Sequence, residues 1–179
     1  MGVLTYMSII TILFQLAKDE RLYELQSLFT GDETVRTMIV APDILAAVSP
    51  PFPDDEEGRR LGEFRAWLDG FMEGCELSVA EDPDRKPPDA MLARVHPVAD
   101  EFWSIRVTEP EDTPGIRAFG AFGSKDMFIA LTWERREVIG GQFNEAVDEL
   151  RASWRDCFRS ERPFRGDRLD EYLTNFRAV

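Results

Sequence analysis

The stretch from Phe102 to Arg136 constrains this chain most. Three short runs, FWSIRV, GIRAFGAF and DMFIALTW, are separated by turn residues and followed by the basic pair Arg135-Arg136. Each run is rich in aromatic and β-branched residues and bounded by Gly, Pro or Asp, the marks of a strand. In succession they predict a β-meander over residues 102–133. Strand alternation places Ile116, Ala118, Gly120 and Phe122 on one side of the second run, and Arg117, Phe119 and Ala121 on the other. Arg117 therefore projects from a sheet face beside Phe119. The link Gly123-Ser124-Lys125-Asp126 carries the Gly and Asp of a tight hairpin. The link from Glu109 to Gly115 is longer, acidic and holds two prolines, a loop able to move or to bind.

The rest of the chain supplies helices around this sheet. Near-helical spacing of Ile9, Ile12, Leu13, Leu16, Leu22, Leu25 and Leu28 predicts a first helix over 5–29. Its apolar start must pack under the main domain or against a second copy, as a homodimer. An extended piece, Thr37 to Ala41, and a helical turn opened by Pro42-Asp43 precede Ser49-Pro50-Pro51-Phe52-Pro53, where prolines break regular structure. This predicts a division into an N-terminal helical extension, 1–50, and a core domain, 54–179, with C-terminal helices. A second helix over 54–73 starts with the acidic run Asp54–Glu57, read as N-cap and macrodipole partners and not as a metal cluster. It carries Leu61, Phe64, Leu68, Phe71 and Met72 as its core stripe. Glu76 to Ala80 reads as a short strand. A helix over 142–159 buries Phe143, Val147, Leu150, Trp154 and Phe158, and Asp167 is expected to cap a short last helix. The fold class expected is α+β, a small twisted antiparallel sheet packed with several helices.

Composition narrows the function. With 44% apolar residues the chain can bury one substantial core. The net charge of −13 argues against a general nucleic-acid or anionic-membrane binder. That charge is uneven: residues 1–89 hold 8 basic and 18 acidic side chains, residues 90–179 hold 13 and 16. Any polyanion site therefore belongs in the second half. The opening run from Val3 to Leu16 is too short and too interrupted for a bilayer span or signal peptide, so the expected location is the cytoplasm.

No metal or cofactor is expected. Cys75 and Cys157 lack neighbouring ligands, and the chain has no P-loop, G-x-S-x-G or H-E-x-x-H motif. His96, the sole histidine, reads as structural. Arginines are the suggestive residues. Arg151, Arg155, Arg159 and Arg162 recur at helical spacing along one face, either a solvated face paired with Asp148 and Asp156 or a docking surface for phosphate or an acidic partner.

Met91-Leu92-Ala93-Arg94, Phe102–Val107, Gly115–Phe119 and Phe128–Trp133 followed by Arg135-Arg136 together resemble the RelE/HigB-like toxin superfamily, especially its phage-derived branch, over roughly residues 57–160. The resemblance implies a twisted antiparallel sheet preceded by two helices, messenger-RNA cleavage on the ribosome, and neutralisation by an antitoxin. It places the functional arginines on Arg117, Arg135 and Arg136, which would stabilise charge at a scissile phosphate attacked by a 2′-hydroxyl. Two function classes stay open. One is a RelE/HigB-like protein acting on RNA, as a ribosome-dependent endoribonuclease or a non-catalytic derivative. The other is an acidic phage or mobile-element interaction protein that binds a basic protein partner.

Overall fold

Ser8 opens the described chain: its hydroxyl accepts from the Thr11 amide at 3.4 Å and starts α1, Ile9–Lys18. The computed structural model describes residues 8–28, 31, 33–108 and 114–179. α1 ends where Glu20 takes a positive φ of 56° and the amides of Arg21 and Leu22 return to the Leu16 carbonyl. The helix expected over 5–29 is therefore shorter. Leu22 and Leu25 are buried, but from an extended segment containing β1, Tyr23–Glu24, where the Leu25 amide donates to the Met38 carbonyl at 2.8 Å. Leucines three apart suit a helix, yet pairing with a neighbouring strand wins here. The positions expected to be helical before Ser8, and Phe29, lie outside the described residues.

β2, Thr37–Val40, is followed by α2, Pro42–Ala47, with proline at its first turn. Asp55 caps α3, Glu56–Met72, accepting from the Gly58 amide at 2.8 Å. A Cβ at Gly58 would lie 1.7 Å from the Pro53 carbonyl oxygen, so the proline segment and the helix start require glycine there. β3 (Leu77–Ala80), β4 (Leu92–Arg94), β5 (Phe102–Val107), β6 (Ile116–Ser124) and β7 (Met127–Arg135) come next. They are followed by α4 (Arg136–Ile139), α5 (Phe143–Phe158), α6 (Leu169–Tyr172) and β8 (Phe176–Ala178). Asp167 does not cap α6. Arg168 holds the cap position without a side-chain bond, and the Glu171 carboxylate reaches back to accept from the Asp167 amide at 2.6 Å.

The fold is α+β. Its meander, β5-β6-β7, sits within a larger sheet of order β1-β2-β7-β6-β5-β4-β3-β8. β2 runs parallel to β7, β4 to β3 and β3 to β8, while the other neighbours are antiparallel. The small antiparallel sheet expected is thus widened on both flanks. Of the segment 1–50 expected as an extension, β1 and β2 are strands of this sheet, and Ile44 of α2 is fully buried in its core.

Helices cover both faces. α3, α2 and α6 bury Phe64, Leu68, Phe71, Ile44 and Tyr172 against Trp103, Ile105, Phe122 and Phe128. α1 and α5 bury Leu13, Leu16, Val147, Leu150, Trp154 and Phe158 against Ile39, Phe119, Ala121 and Ile129. The expected stripes of α3 and α5 match these two layers. α1 packs within the chain, while Phe14 on its outer side remains 76% exposed. Among the described residues no helix is long and apolar enough to cross a membrane.

Candidate anion site

Arg117 stands on the α5 face of β6, as its alternation with Ile116 and Ala118 predicts, and is only 8% exposed. Its Cα partner on β5 is Arg106. Cβ atoms directly opposite on antiparallel strands lie about 5 Å apart, and like charges there destabilise a sheet. Arg136, first residue of α4, joins them: its amide donates to the Gly115 carbonyl at 2.8 Å, which holds it beside the start of β6. Lys86 reaches in from the loop before β4, its Nζ 5.2 Å from the centre of the Phe143 ring. These four cations line one cavity of about 180 Å³, completed by Ser104, Ile139, Gly140 and Phe143. Among the described residues no carboxylate lines it.

The expected trio is not brought together whole. Arg117 and Arg136 share the cavity; Arg135 lies on the opposite side, where its guanidinium holds Glu57 of α3 at 2.5–3.0 Å. A bulge is the cause. In the β6–β7 register Phe119 faces Thr132 and Gly120 faces Ala130, which leaves Leu131 unpaired. Without that extra residue, alternation from Ile129 and Leu131 would carry Arg135 onto the Arg117 face; with it, Trp133 joins the α3 layer and Arg135 follows. Gly120 permits this close approach, since a Cβ there would meet the Ile129 carbonyl oxygen at 1.9 Å. Glu134, the Cα partner of Arg117 on β7, accepts instead from the Arg135 amide at 2.8 Å and lies 3.8 Å from Arg135 Nη1.

Burial and mutual repulsion dominate the electrostatics of the cavity. Burial, then Arg106 and Arg136, push Arg117 down from 12.5 to about 10. Burial, with Arg106 and Arg117, pushes Lys86 down against the weaker pull of Asp84. Burial, with Arg136, lowers Arg106 against Asp89. Nη1 of Arg117 is buried and without a hydrogen-bond partner. The other buried arginines differ. Arg36 donates to the carbonyls of Phe71, Cys75, Thr174 and Asn175, Arg65 pairs with Asp69, Arg94 with Glu101, and Arg60 with Glu56 and Glu137. Among the described residues, Arg117 is the buried arginine that no carboxylate or carbonyl partners.

The second expected cluster converges elsewhere. Arg151, Arg155, Arg159 and Arg162 line a groove of about 400 Å³ past the other end of α5, together with Asp100, Glu101, Glu161 and Arg165. α5 ends at Phe158, so Arg159 is its C-cap and Arg162 lies in the following coil. Arg151 is held by Asp100 at 2.7 Å and by Asp148, in part the paired face expected. Asp156 instead pairs with Arg21 at 2.5 Å. Acidic groups line this groove, in contrast to the Arg117 cavity.

His96 is exposed, 3.0 Å from Asp84. Cys75 and Cys157 are unpaired thiols, and burial pushes Cys157 up. Sequence reasoning missed Arg106 and Lys86. Arg106 was legible in principle, because Phe102, Ser104 and Arg106 share a face and the meander must pair β5 with β6. Nothing local signalled Lys86, whose charged loop reaches the cavity only through tertiary packing. Comparison with protein-family models, curated proteins and solved structures finds no match for this chain.

Proposed function

We propose that this protein acts on RNA in the manner of the RelE/HigB-like toxins, holding a phosphate in the cavity of Arg106, Arg117, Arg136 and Lys86. The observation that carries this reading is Arg117, a buried residue with an unpartnered Nη1, set among cations in a cavity that no carboxylate of the described residues lines. Such a group is unfavourable in the protein alone and favourable once an anion accepts its N–H bonds. Fixed guanidinium groups also suit charge that develops on a phosphate attacked by a neighbouring 2′-hydroxyl. Lys86, lowered by burial and by the arginines, is the cavity group best suited to exchange a proton. In this reading Arg135 is a structural ion-pair partner of Glu57, and Arg106 and Lys86 supply the charge the resemblance assigns to it.

The second reading, an acidic protein that binds a basic partner, draws on the net charge of −13. Induced expression in a bacterial host separates the two. Growth arrest with new 5′ ends on ribosome-bound messages, abolished in the Arg117→Ala, Arg136→Ala double variant, is expected of the RNA reading. Normal growth with intact messages overturns it in favour of the acidic-partner reading.

A further inference from the structure

We propose that the Arg117 cavity is a site for a dianionic phosphoryl group, that is, a phosphomonoester, in preference to a phosphodiester. The inference rests on the phosphate reading above and specifies its ligand class. Size comes first. At about 180 Å³ the cavity is smaller than the 300 Å³ or more typical of sites that enclose whole small molecules, so it admits a phosphoryl group while the remainder of the ligand stays outside.

Charge comes next. Four cations face the cavity, and among the described residues the carboxylates nearby, Asp84 acting on Lys86, Asp89 acting on Arg106 and Glu134 opposite Arg117 on β7, do not line it. Asp84 is further engaged by His96. A phosphomonoester carries about −1.5 to −2 at neutral pH, against −1 for a diester, and therefore relieves more of the mutual repulsion among Arg106, Arg117 and Arg136.

Donor geometry agrees. Arg106 comes from β5, Arg117 from β6 and Arg136 from α4, so three guanidinium groups line the cavity from three elements, with Nη1 of Arg106 donating to the Pro87 carbonyl at 2.7 Å. A monoester offers three terminal oxygens to them. A diester offers two, and its second ester arm must also leave through the mouth. Ile139 and Phe143 form an apolar wall on one side, beside which hydrogen bonds to the ligand are stronger than in open water. The same preference suits RNA chemistry: a scissile diester is held weakly, and the doubly charged species formed on attack by a 2′-hydroxyl is held more tightly.

The test is isothermal titration calorimetry of the full chain with phenyl phosphate and with methyl phenyl phosphate. A 5′-phosphorylated RNA oligonucleotide and its 5′-hydroxyl counterpart distinguish an RNA end from a free monoester as the source. Phenyl phosphate is expected to bind at least tenfold more tightly than the diester. Lys86→Gln and Arg136→Gln, at less buried positions than Arg117, should each weaken it by roughly tenfold or more. Equal or tighter diester binding overturns the monoester preference and leaves the phosphate reading standing. No binding of either compound by folded wild-type protein overturns both. Unchanged monoester affinity in both glutamine variants also refutes the proposal, because it moves the bound phosphate out of this cavity.

Discussion

Replacing Arg117 with methionine should make the unliganded protein more stable. Arg117 is 8% exposed, its Nη1 has no partner, and the charged neighbours it shares the cavity with are cations. Its fall from 12.5 to about 10 corresponds to about 3 kcal/mol of unfavourable environment for the charged form, at 1.36 kcal/mol per pH unit. Some of that is recovered by relaxation, so Arg117→Met, which keeps the length of the stem and buries a thioether, is expected to add about 2 kcal/mol. For a chain of this size that is a Tm higher by roughly 4–8 °C. Because Arg117 sits below its unfolded value, the penalty is complete below about pH 10, and a comparison at pH 7.5 captures all of it. The assay is thermal unfolding followed by circular dichroism, with and without 10 mM phenyl phosphate. The ligand should raise the Tm of the wild type and leave the variant unmoved. A variant less stable than wild type would refute the reasoning, since it would mean that Arg117 is satisfied within the fold and is not held for a ligand.

Arg135→Ala should lower stability by about 1 kcal/mol or less, as befits a part-exposed ion pair, and leave phosphate binding unchanged by calorimetry, unlike Arg136→Gln. Tyr172, whose hydroxyl donates to Glu101 at 2.6 Å, is pushed up to about 12 by burial first and then by that bond. Its neutral form stabilises the fold below about pH 10, and that contribution is lost as pH rises from 10 to 12; in urea titrations across this range Tyr172→Phe should therefore lose less stability than wild type. Finally, RNA held through a single phosphate should show a shallow salt dependence. With a slope of about −0.7 per phosphate contact for single strands, affinity by fluorescence anisotropy should fall only about threefold between 50 and 200 mM KCl, whereas a loss above a hundredfold would indicate a basic track and contradict one pocket.

Much of the fold was legible because local pattern and tertiary packing agree. The meander, α3 and α5 each pair a clear period with clear stops, such as the Asp55 cap and the positive-φ Gly74 that follows α3. Where several segments share the burden, the pattern misleads. Leu22 and Leu25 continue the spacing of α1, yet they are buried from an extended chain because Met38 offers a backbone partner. β8, tied down by Arg36 through the carbonyls of Thr174 and Asn175, has almost no sequence signature, since a three-residue strand on the edge of a sheet depends on its neighbours.

The site follows the same logic at finer scale. Arg117 was legible because one alternation within one strand decides which face it takes. Arg135 was not, because its face depends on the parity of β7, and a single unpaired residue, Leu131, reverses that parity. The bulge separates two adjacent arginines into different roles. Arg135 crosses to the α3 side, where Glu57 neutralises it, while Arg136 opens α4 beside Gly115 and stays with Arg106 and Arg117. Had β7 continued without the bulge, Arg135 would have brought a fifth cation to the cavity and left Glu57 without its partner. By sorting the basic pair this way, the sheet keeps Arg136 with Arg106 and Arg117 in one small cavity of a chain of net charge −13. Salt screens the surrounding acidic surface beyond about 8 Å at physiological ionic strength, so a single phosphoryl group entering the cavity meets the four cations more strongly than the distant carboxylates.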